Sequence, residues 1–350
     1  MEEGSVMFLL GAGASFDAGI PMAIKMNQQV KDMLADEEEL RELYYFLKSA
    51  IMYQRGLEGN FDEQVGIEDL LGVIEELNQK HHNKLYPFVG AWNTHLTKVA
   101  GSDFRNLELL DEKIRSNLIS WVKPRNGFKD GSYLSGLGSF GNDYGYSVPI
   151  FTLNYDLLVE RNLKESGFTV ETGFNPSDYK WDASRFERNE ADDVDFYLYK
   201  LHGSIDWERN EDDSEDFLYC REDPCDKPDL IFGVNYKLNS GDPYLFYTHE
   251  LRKYSLEAST RLIFVVGYSF GDEYINKLLS QAIKRDPRKR IVNVTPNASS
   301  NKNVILDKLG IESSSDSLCS LDVKGKEFFE KTLTVDLCKK YLFKDSDIPF

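Results

Sequence analysis

The chain has 350 residues, enough for a large core in one elaborated domain or two, and its hydrophobic content of 41% is ordinary for a soluble protein. No apolar run reaches membrane-spanning length. The formal net charge of −18 argues against a general DNA or RNA binder, because such binding depends on Lys and Arg that displace counterions. Four scattered cysteines, and a start without an export signal, lead us to expect a cytoplasmic protein with reduced thiols.

The first informative stretch is VMFLLGAGASFDAGIP, residues 6–21. Its apolar start predicts a short buried strand, and helical sequence begins near Pro21. A strand that leads through a glycine turn to a helix N-terminus favours an anion such as a pyrophosphate. A dinucleotide-binding turn would have a further glycine at Phe16, so an ordinary tight turn is the alternative interpretation.

Residues 21–121 are mostly helical in pattern and predict a helical insertion, and residues 127–145 predict a glycine-rich linker. The next predicted strand covers residues 147–151 and leads into TLNYD. Its Asn154 and Asp156 form either a helix cap or a pair that holds a ligand, because ligands of open α/β sheets bind at the C-terminal ends of strands.

Residues 195–201 predict another strand, which ends at His202. Imidazole titrates near neutral pH and suits a general base there, whereas a half-buried structural histidine is the alternative. After the acidic, turn-rich residues 205–259, the pattern predicts strands at 261–266 and 290–296 with a helix between them. The basic residues 284–290 are interpreted as a solvated connection. Residues 301–350 end in a predicted amphipathic helix that carries Phe328, Phe329, Leu333, Leu337 and Tyr341.

The motifs GAGAS…AGIP, TLNYD, LHGS, GYS and VNVTP follow the order found in sirtuins. The chain therefore resembles a sirtuin-like NAD-binding domain, most closely the bacterial branch of anti-phage defence NADases, over residues 6–297 apart from the helical insertion. The resemblance implies an α/β fold with a Rossmann-like, mostly parallel sheet, a large helical insertion and a smaller irregular insertion. The expected division is a core of 1–30, 146–204 and 260–300, a helical insertion 31–145, an acidic insertion 205–259 and a C-terminal helical extension 301–350.

The resemblance also implies roles for individual residues around NAD⁺ as the substrate. Asn154 would hold the attacking water or the nicotinamide ribose, Asp156 would meet the carboxamide, and His202 would act as the base. Asn293 would contact the adenosine ribose. The other candidate NAD-binding residues lie mostly in two glycine loops: Gly11, Ala12, Gly13, Ala14, Ser15, Asp17, Pro21, Thr152, Gly267 and Ser269.

Departures from the sirtuin pattern predict which reaction the site performs. Leu153 replaces the glutamine of deacylases, Met22 and Ala23 replace the Asp-Phe-Arg that follows Gly-Ile-Pro, and Val234 replaces a glutamate of the acyl-lysine-binding strand. Cys220 and Cys225 make only half of a zinc ribbon, with four residues between them, so no zinc is expected. We therefore expect NAD⁺ hydrolysis to nicotinamide and ADP-ribose in preference to protein-lysine deacylation.

Other functions stay open at this point. The same pocket would serve a non-catalytic subunit that binds NAD⁺ or ADP-ribose as a signal. GYSFG also matches the nucleophile elbow of serine hydrolases, although all five histidines precede Ser269, the reverse of the order in that fold. The resembled defence proteins imply gating by a homo-oligomer or by a partner ATPase of the DNA-translocase type, with no direct nucleic-acid or membrane binding.

Overall fold

The structure is a computed structural model that describes residues 1–61, 63–78, 94–101, 103–124, 127–187, 194–210, 217–232, 241–312 and 316–342. The chain forms two compact units. The first comprises Met1–Ile20, Lys123–Leu230 and Lys237–Phe350, and the second comprises Pro21–Val122 and Ile231–Tyr236.

The second unit is helical. Its helices bury the apolar stripes that the sequence shows at helical spacing, including Leu70, Leu71 and Ile74. The helices are α1 (Ala23–Met33), α2 (Glu38–Leu57), α3 (Ile67–Asn78), α4 (Thr94–Ala100) and α5 (Arg105–Trp121).

The first unit is built on a parallel sheet. Its strands in chain order are β1 (Val6–Leu10), β2 (Val148–Thr152), β3 (Val170–Glu171), β4 (Phe196–Lys200), β7 (Leu262–Val266), β8 (Arg290–Val294) and β9 (Leu318–Leu321). A separate antiparallel pair consists of β5 (Trp207–Arg209) and β6 (Leu218–Cys220). Within the described residues, the seven parallel strands lie in the order β3–β4–β2–β1–β7–β8–β9, which confirms the predicted α/β class and Rossmann-like sheet.

Helices and short turns flank this sheet in sequence. They are α6 (Ser135–Tyr144), α7 (Leu158–Glu165), α8 (Tyr244–Leu256), α9 (Glu273–Arg285), α10 (Lys302–Leu309), the short helix Gly325–Glu327 and α11 (Val335–Leu342). Tight helical turns are formed by Ala12–Ala14, Phe16–Ala18, Phe128–Leu134 and Ala183–Phe186. Among the described helices, none is both long and apolar enough to cross a membrane.

The order of the strands fixes where loops can meet. Leu10, the last residue of β1, lies opposite Thr152 of β2 on one side and opposite Val266 of β7 on the other. The strands β2 and β4 therefore extend the sheet on one side of β1, whereas β7, β8 and β9 extend it on the other side. This is the topological switch point at which open α/β sheets bind ligands, just beyond the C-terminal ends of the strands.

Residues 127–145, predicted as a glycine-rich linker, instead contain helix α6. Its glycines permit close packing, because a Cβ atom on Gly138 would lie 2.1 Å from the Phe168 ring and one on Gly141 would lie 2.8 Å from the Phe196 ring. The glycines of this helix therefore make room for aromatic side chains.

The predicted single C-terminal helix is also wrong in detail. Phe328–Thr332 forms a π-helical turn, Leu333 is extended, and α11 starts afterwards. Phe328 and Phe329 are buried by this turn, which explains why an apolar helical pattern was visible without a continuous helix. The two short strands at the sheet edges, β3 and β9, were not predicted.

Candidate active site

The loop after β1, residues 11–15, touches the loop after β7, residues 267–272. The N–H groups of Gly11 and Gly13 donate to the carbonyls of Val266 and Gly267, both at 2.9 Å. Gly267 has φ +63°, and a Cβ atom there would lie 2.4 Å from the Ala14 nitrogen. Glycine is therefore required where these two loops meet, independently of any ligand.

Most backbone N–H groups of residues 11–15 already donate hydrogen bonds within the protein. Ala14 N–H donates to Gly11 and Ser15 N–H donates to Ala12, so four of the five amides of residues 11–15 bond to backbone carbonyls. Ala12 lies outside this set and is the exposed residue of the loop. A phosphate at this loop would thus have to share N–H donors with these carbonyls or bind the N–H of Ala12. The loop therefore offers fewer donors to a phosphate than the sequence pattern suggests.

Asn154 joins the loop after β2 to the loop after β1. Its Nδ2 donates to the Gly11 carbonyl and to the Ser15 hydroxyl, both at 3.0 Å. Its own N–H donates to Thr152 Oγ1 at 3.1 Å, so the strand end holds the residue in place. The side chain is half-buried and partly accessible, as a residue that meets a ligand must be.

Asp156 is buried beneath the same loop. Its Oδ1 accepts the N–H of Leu158, the first residue of α7, at 3.0 Å, while the Ser15 hydroxyl is a second hydrogen-bond partner. Burial raises the pKa of the Asp156 carboxyl, although Lys200 and Ser15 oppose that shift. One oxygen of Asp156 thus bonds to the first residue of α7, although the N-cap position of that helix is Leu157.

His202 follows β4 and lies beside the turn that carries Asn154. Its ring is 6.1 Å, centroid to centroid, from the ring of Tyr155, and the N–H of Ile205 donates to the Tyr155 carbonyl at 3.1 Å. After His202 the chain continues through Gly203. The φ of Gly203 is +90°, and a Cβ atom there would lie 2.3 Å from the Asp229 carbonyl oxygen.

Asp272 brings a carboxylate to His202. Asp272 Oδ2 lies 3.7 Å from His202 Nε2, and Asp272 Oδ1 caps α9 by accepting the N–H groups of Tyr274 and Ile275. A carboxylate beside a histidine is an arrangement found at catalytic bases, although 3.7 Å is longer than a hydrogen bond. The loops after β1, β2, β4 and β7 therefore converge.

Ser269 is exposed in the loop after β7. Two residues of this loop have a left-handed backbone conformation, Gly267 with φ +63° and Phe270 with φ +55°, and Ser269 is not one of them. The strained position of a nucleophile elbow is the serine itself. The loop geometry thus gives the serine-hydrolase interpretation no support, and the described ion-pair partner of His202 is Asp272.

Asn293 lies on β8, opposite Val265 of β7, near the C-terminal end of the strand. The residue is 1% exposed, and neither its Oδ1 nor its Nδ2 has a hydrogen-bond partner among the described residues. A buried amide without partners costs free energy, so such a group is commonly kept for a ligand or for buried water. This orphaned amide fits the predicted contact with the adenosine ribose.

The remaining candidates are distributed as follows. Asp17 lies half-buried in the turn Phe16–Ala18, directly after the first glycine loop, and Thr152 is buried at the end of β2. Pro21 belongs to the second compact unit. Val234 lies outside the described residues, so the altered acyl-lysine strand stays a prediction.

Cys220 and Cys225, the two cysteines of the half zinc ribbon, are both free thiols. Cys220 Sγ donates to Asp206 Oδ2 at 3.4 Å, and burial raises the pKa of its thiol. Burial raises the pKa of the Cys225 thiol to about 11. Within the described part of the chain, no group of three or more His, Cys, Asp or Glu side chains is suited to a metal.

Sequence reasoning missed Asp272, Lys200 and Tyr133. Asp272 had a detectable signal, since an Asp that precedes a helix is a good N-cap. Lys200 ends an otherwise buried strand, where a charged residue is rare. Tyr133 donates to the Ala14 carbonyl at 2.6 Å across 119 residues of sequence, and no local pattern predicts such a contact.

Residues 148–314 match the family model of the SIR2-like domain. A solved structure of Sir2Tm bound to a propionylated peptide is 13% identical to this chain, covers 93% of this chain and 90% of its own, and gives a TM-score of 0.40. That structural likeness is too low to support a conclusion about function. No curated protein matches the chain. The SIR2-like match supports an NAD-dependent function in general. Residues 148–314 of this chain are thus similar to the SIR2-like domain.

Proposed function

We propose that this protein cleaves NAD⁺ to nicotinamide and ADP-ribose. The observation that carries the proposal is the position of the Asn154 amide, 3.0 Å from both the Gly11 carbonyl and the Ser15 hydroxyl. It joins a strand end that carries polar groups to the glycine loop at the switch point of the sheet. His202 lies near the same turn, because its ring is close to the ring of Tyr155, the residue that follows Asn154.

The residue types suit this chemistry. When the bond between the ribose C1′ and the nicotinamide nitrogen breaks, both electrons go to the nitrogen and positive charge develops on the ribose. Water adds to C1′ and loses a proton. Asn154 would orient the water or the ribose, and His202, beside Asp272, would accept the proton. Asp156 would meet the carboxamide of the leaving nicotinamide.

Hydrolysis is preferred to deacylation because of the residues that differ from the deacylase pattern. Leu153 stands where deacylases have glutamine. Its backbone N–H extends the sheet by donating to the Leu10 carbonyl at 2.9 Å, and its side chain is buried. An apolar, buried side chain there adds no hydrogen-bonding group for an acyl-lysine substrate, whereas water needs none beyond Asn154 and His202.

The test is to incubate the purified protein with NAD⁺ and to measure nicotinamide and ADP-ribose. We expect equal amounts of both products from the wild type and a decrease of about 100-fold or more for Asn154→Ala and His202→Ala. His249→Ala is the matched control, because His249 is exposed on α8, and it should keep wild-type turnover.

Two results would redirect the assignment. Tight NAD⁺ binding without turnover under any activating condition would favour a subunit that senses NAD⁺ or ADP-ribose. Stoichiometric labelling of Ser269 by a fluorophosphonate would revive the serine-hydrolase interpretation.

We also propose that the activity serves anti-phage defence by depletion of NAD⁺. An unregulated NADase would harm its own cell, so assembly into a homo-oligomer, or a partner such as a translocase-type ATPase, would gate it. The support for this role is the resemblance of the motifs alone. Size-exclusion chromatography with activity measured across the peak tests it, and a constitutively active monomer would contradict it.

A further inference from the structure

Lys200, the last residue of β4, is a buried cation. It is 2% exposed, and its Nζ donates to the Asp156 carbonyl at 2.5 Å and to Glu160 Oε1 at 2.7 Å. An ammonium group that is removed from water is strongly unfavourable unless nearby groups compensate its charge. The question is therefore what this residue does at the base of the candidate site.

Three buried carboxyl groups surround the ammonium: those of Asp156, Glu160 and Asp206. Burial alone would lower the pKa of Lys200, but the charges of these carboxyl groups and the hydrogen bond to Glu160 raise it above its ordinary value. The lysine is therefore charged at neutral pH. Its charge also opposes the rise in the pKa of Asp156 that burial produces.

The ammonium is placed to hold the turn between β2 and α7. The register of the sheet puts Lys200 opposite Thr152, where this turn begins, and Nζ binds the Asp156 carbonyl, where the turn ends. Asn154 lies midway, with its N–H on Thr152 Oγ1. Lys200 thus fixes the end of a five-residue span that presents both the Asn154 amide and the Asp156 carboxyl.

We propose that Lys200 is a positioning residue that holds residues 152–156 in the conformation required for NAD⁺ cleavage. It acts through Asn154 and Asp156 and does not contact the reacting atoms. This inference rests on the proposed function, in which those two side chains meet NAD⁺. Its alternative is a purely structural role, in which Lys200 and Glu160 only attach α7 to the sheet.

Two variants separate these roles. Lys200→Met alone would leave Glu160 buried without its partner and would lower the melting temperature strongly. The double variant Lys200→Met/Glu160→Met removes the whole ion pair and should recover most of the melting temperature, because apolar replacements of buried pairs are often tolerated. It still lacks the bond to the Asp156 carbonyl.

In the folded double variant we expect kcat to fall about tenfold or more, since small displacements of positioned groups reduce rates strongly. We also expect faster hydrogen–deuterium exchange in residues 152–158 and wild-type exchange in β7 and β8. Glu160→Gln is the matched control. It retains the bond from Lys200 to the Asp156 carbonyl and should keep kcat within about twofold of the wild type.

Wild-type kcat or wild-type exchange of residues 152–158 in the folded double variant would overturn the proposal. The exchange measurement does not depend on turnover. If the wild-type protein itself does not cleave NAD⁺, the proposed function fails, while exchange still decides whether Lys200 holds the turn. The two failures are therefore distinguishable.

Discussion

At the scale of residues, the clearest contrast is between two buried asparagines. Asn276 is 6% exposed and has partners, because its Nδ2 donates to the Phe270 carbonyl at 2.9 Å and its Oδ1 accepts from Tyr268. Asn293 is more deeply buried, and its amide has no partner among the described residues. The fold satisfies the amide of Asn276 and leaves that of Asn293 without a hydrogen-bond partner among the described residues.

Replacement of the two asparagines by alanine should therefore have different effects. Asn276→Ala should mainly reduce stability, and Asn293→Ala should mainly reduce ligand affinity. Asn276→Ala should lower the free energy of unfolding by about 1–3 kcal/mol, because it leaves buried groups unpaired, and Asn293→Ala should lower it less. Asn293→Ala should weaken ADP-ribose binding about tenfold, which corresponds to about 1.4 kcal/mol. Chemical denaturation and isothermal titration calorimetry measure the two quantities. An Asn293→Ala variant with wild-type affinity would contradict the assignment.

The candidate site residues at strand ends could be predicted from the sequence. The residues that hold them in place could not. Asn154 and His202 follow apolar runs, and the ends of parallel strands share one edge of the sheet. Lys200 and Tyr133 act through contacts with residues far away in sequence, at Asp156 and Ala14. Local patterns carry no information about such partners, so these supporting residues appeared only with the structure.

At the scale of elements, the first glycine loop is held from outside the sheet. Tyr133, in the turn Phe128–Leu134, donates to the Ala14 carbonyl at 2.6 Å, and its ring stacks on Phe329 with centroids 6.3 Å apart. A Cβ atom on Gly325 would lie 3.1 Å from the Gly13 carbonyl oxygen, so the C-terminal segment also packs on the loop. Burial raises the pKa of Tyr133, which keeps its hydroxyl protonated as a donor.

Tyr133→Phe should therefore lower both stability and ligand affinity. The loss of one buried hydrogen bond should cost about 1–3 kcal/mol, and ADP-ribose should bind more weakly because the loop is less restrained. Tyr144→Phe is the matched control, since Tyr144 bonds to Ser5 at the opposite end of β1. It should lose stability alone. Equal affinities for the two variants would contradict the role of Tyr133.

The basic residues 284–290 form a structured connection between α9 and β8. Arg288 pairs with Asp286 through two hydrogen bonds of 2.9 Å, and Lys289 is buried with its ammonium on the carbonyls of Glu257 and Thr260. Bonds from Arg288 lower the pKa of Asp286 to about 2 from an ordinary value of 3.8. The positive charges are thus partly neutralised within the connection.

The lowered pKa of Asp286 leads to a prediction of how stability depends on pH. The folded-state pKa of Asp286 is depressed, so its contribution is complete above pH 3.8 and is lost as the pH falls towards about 2. Asp286→Asn should lower the melting temperature by a few degrees at neutral pH, and the difference from the wild type should disappear near pH 2. Asp336→Asn, which alters an exposed pair with Lys339, should show little difference at either pH. A constant difference would contradict the prediction.

Long apolar strands were predictable as elements, and short or glycine-rich ones were not. The pattern found β1, β2, β4, β7 and β8 within one or two residues, because all are continuous buried runs. Strand β3 has only two residues, and helix α6 contains three glycines that disfavour helix by propensity. Tertiary packing against aromatic rings overrides that propensity.

At the scale of the whole molecule, a net charge of −18 means that an anionic nucleotide must be bound by local dipoles against an unfavourable field. A cavity of about 720 Å³ lies at the N-terminal edge of the sheet, next to Gly4 and Ser259. It is poorly suited to a pyrophosphate, because its lining includes Glu3, Glu187, Glu250 and Glu257. At the other edge, the Ala12 N–H lies outside the set of loop amides that donate to backbone carbonyls, and helices α7 and α9 begin there.

The most direct test is a crystal structure with ADP-ribose bound. We expect the pyrophosphate to lie against residues 11–15 and 267–269, with the adenosine ribose at Asn293 and the other ribose near Asn154 and His202. ADP-ribose ordered anywhere else, the acidic cavity at the opposite edge of the sheet included, would contradict the proposed site.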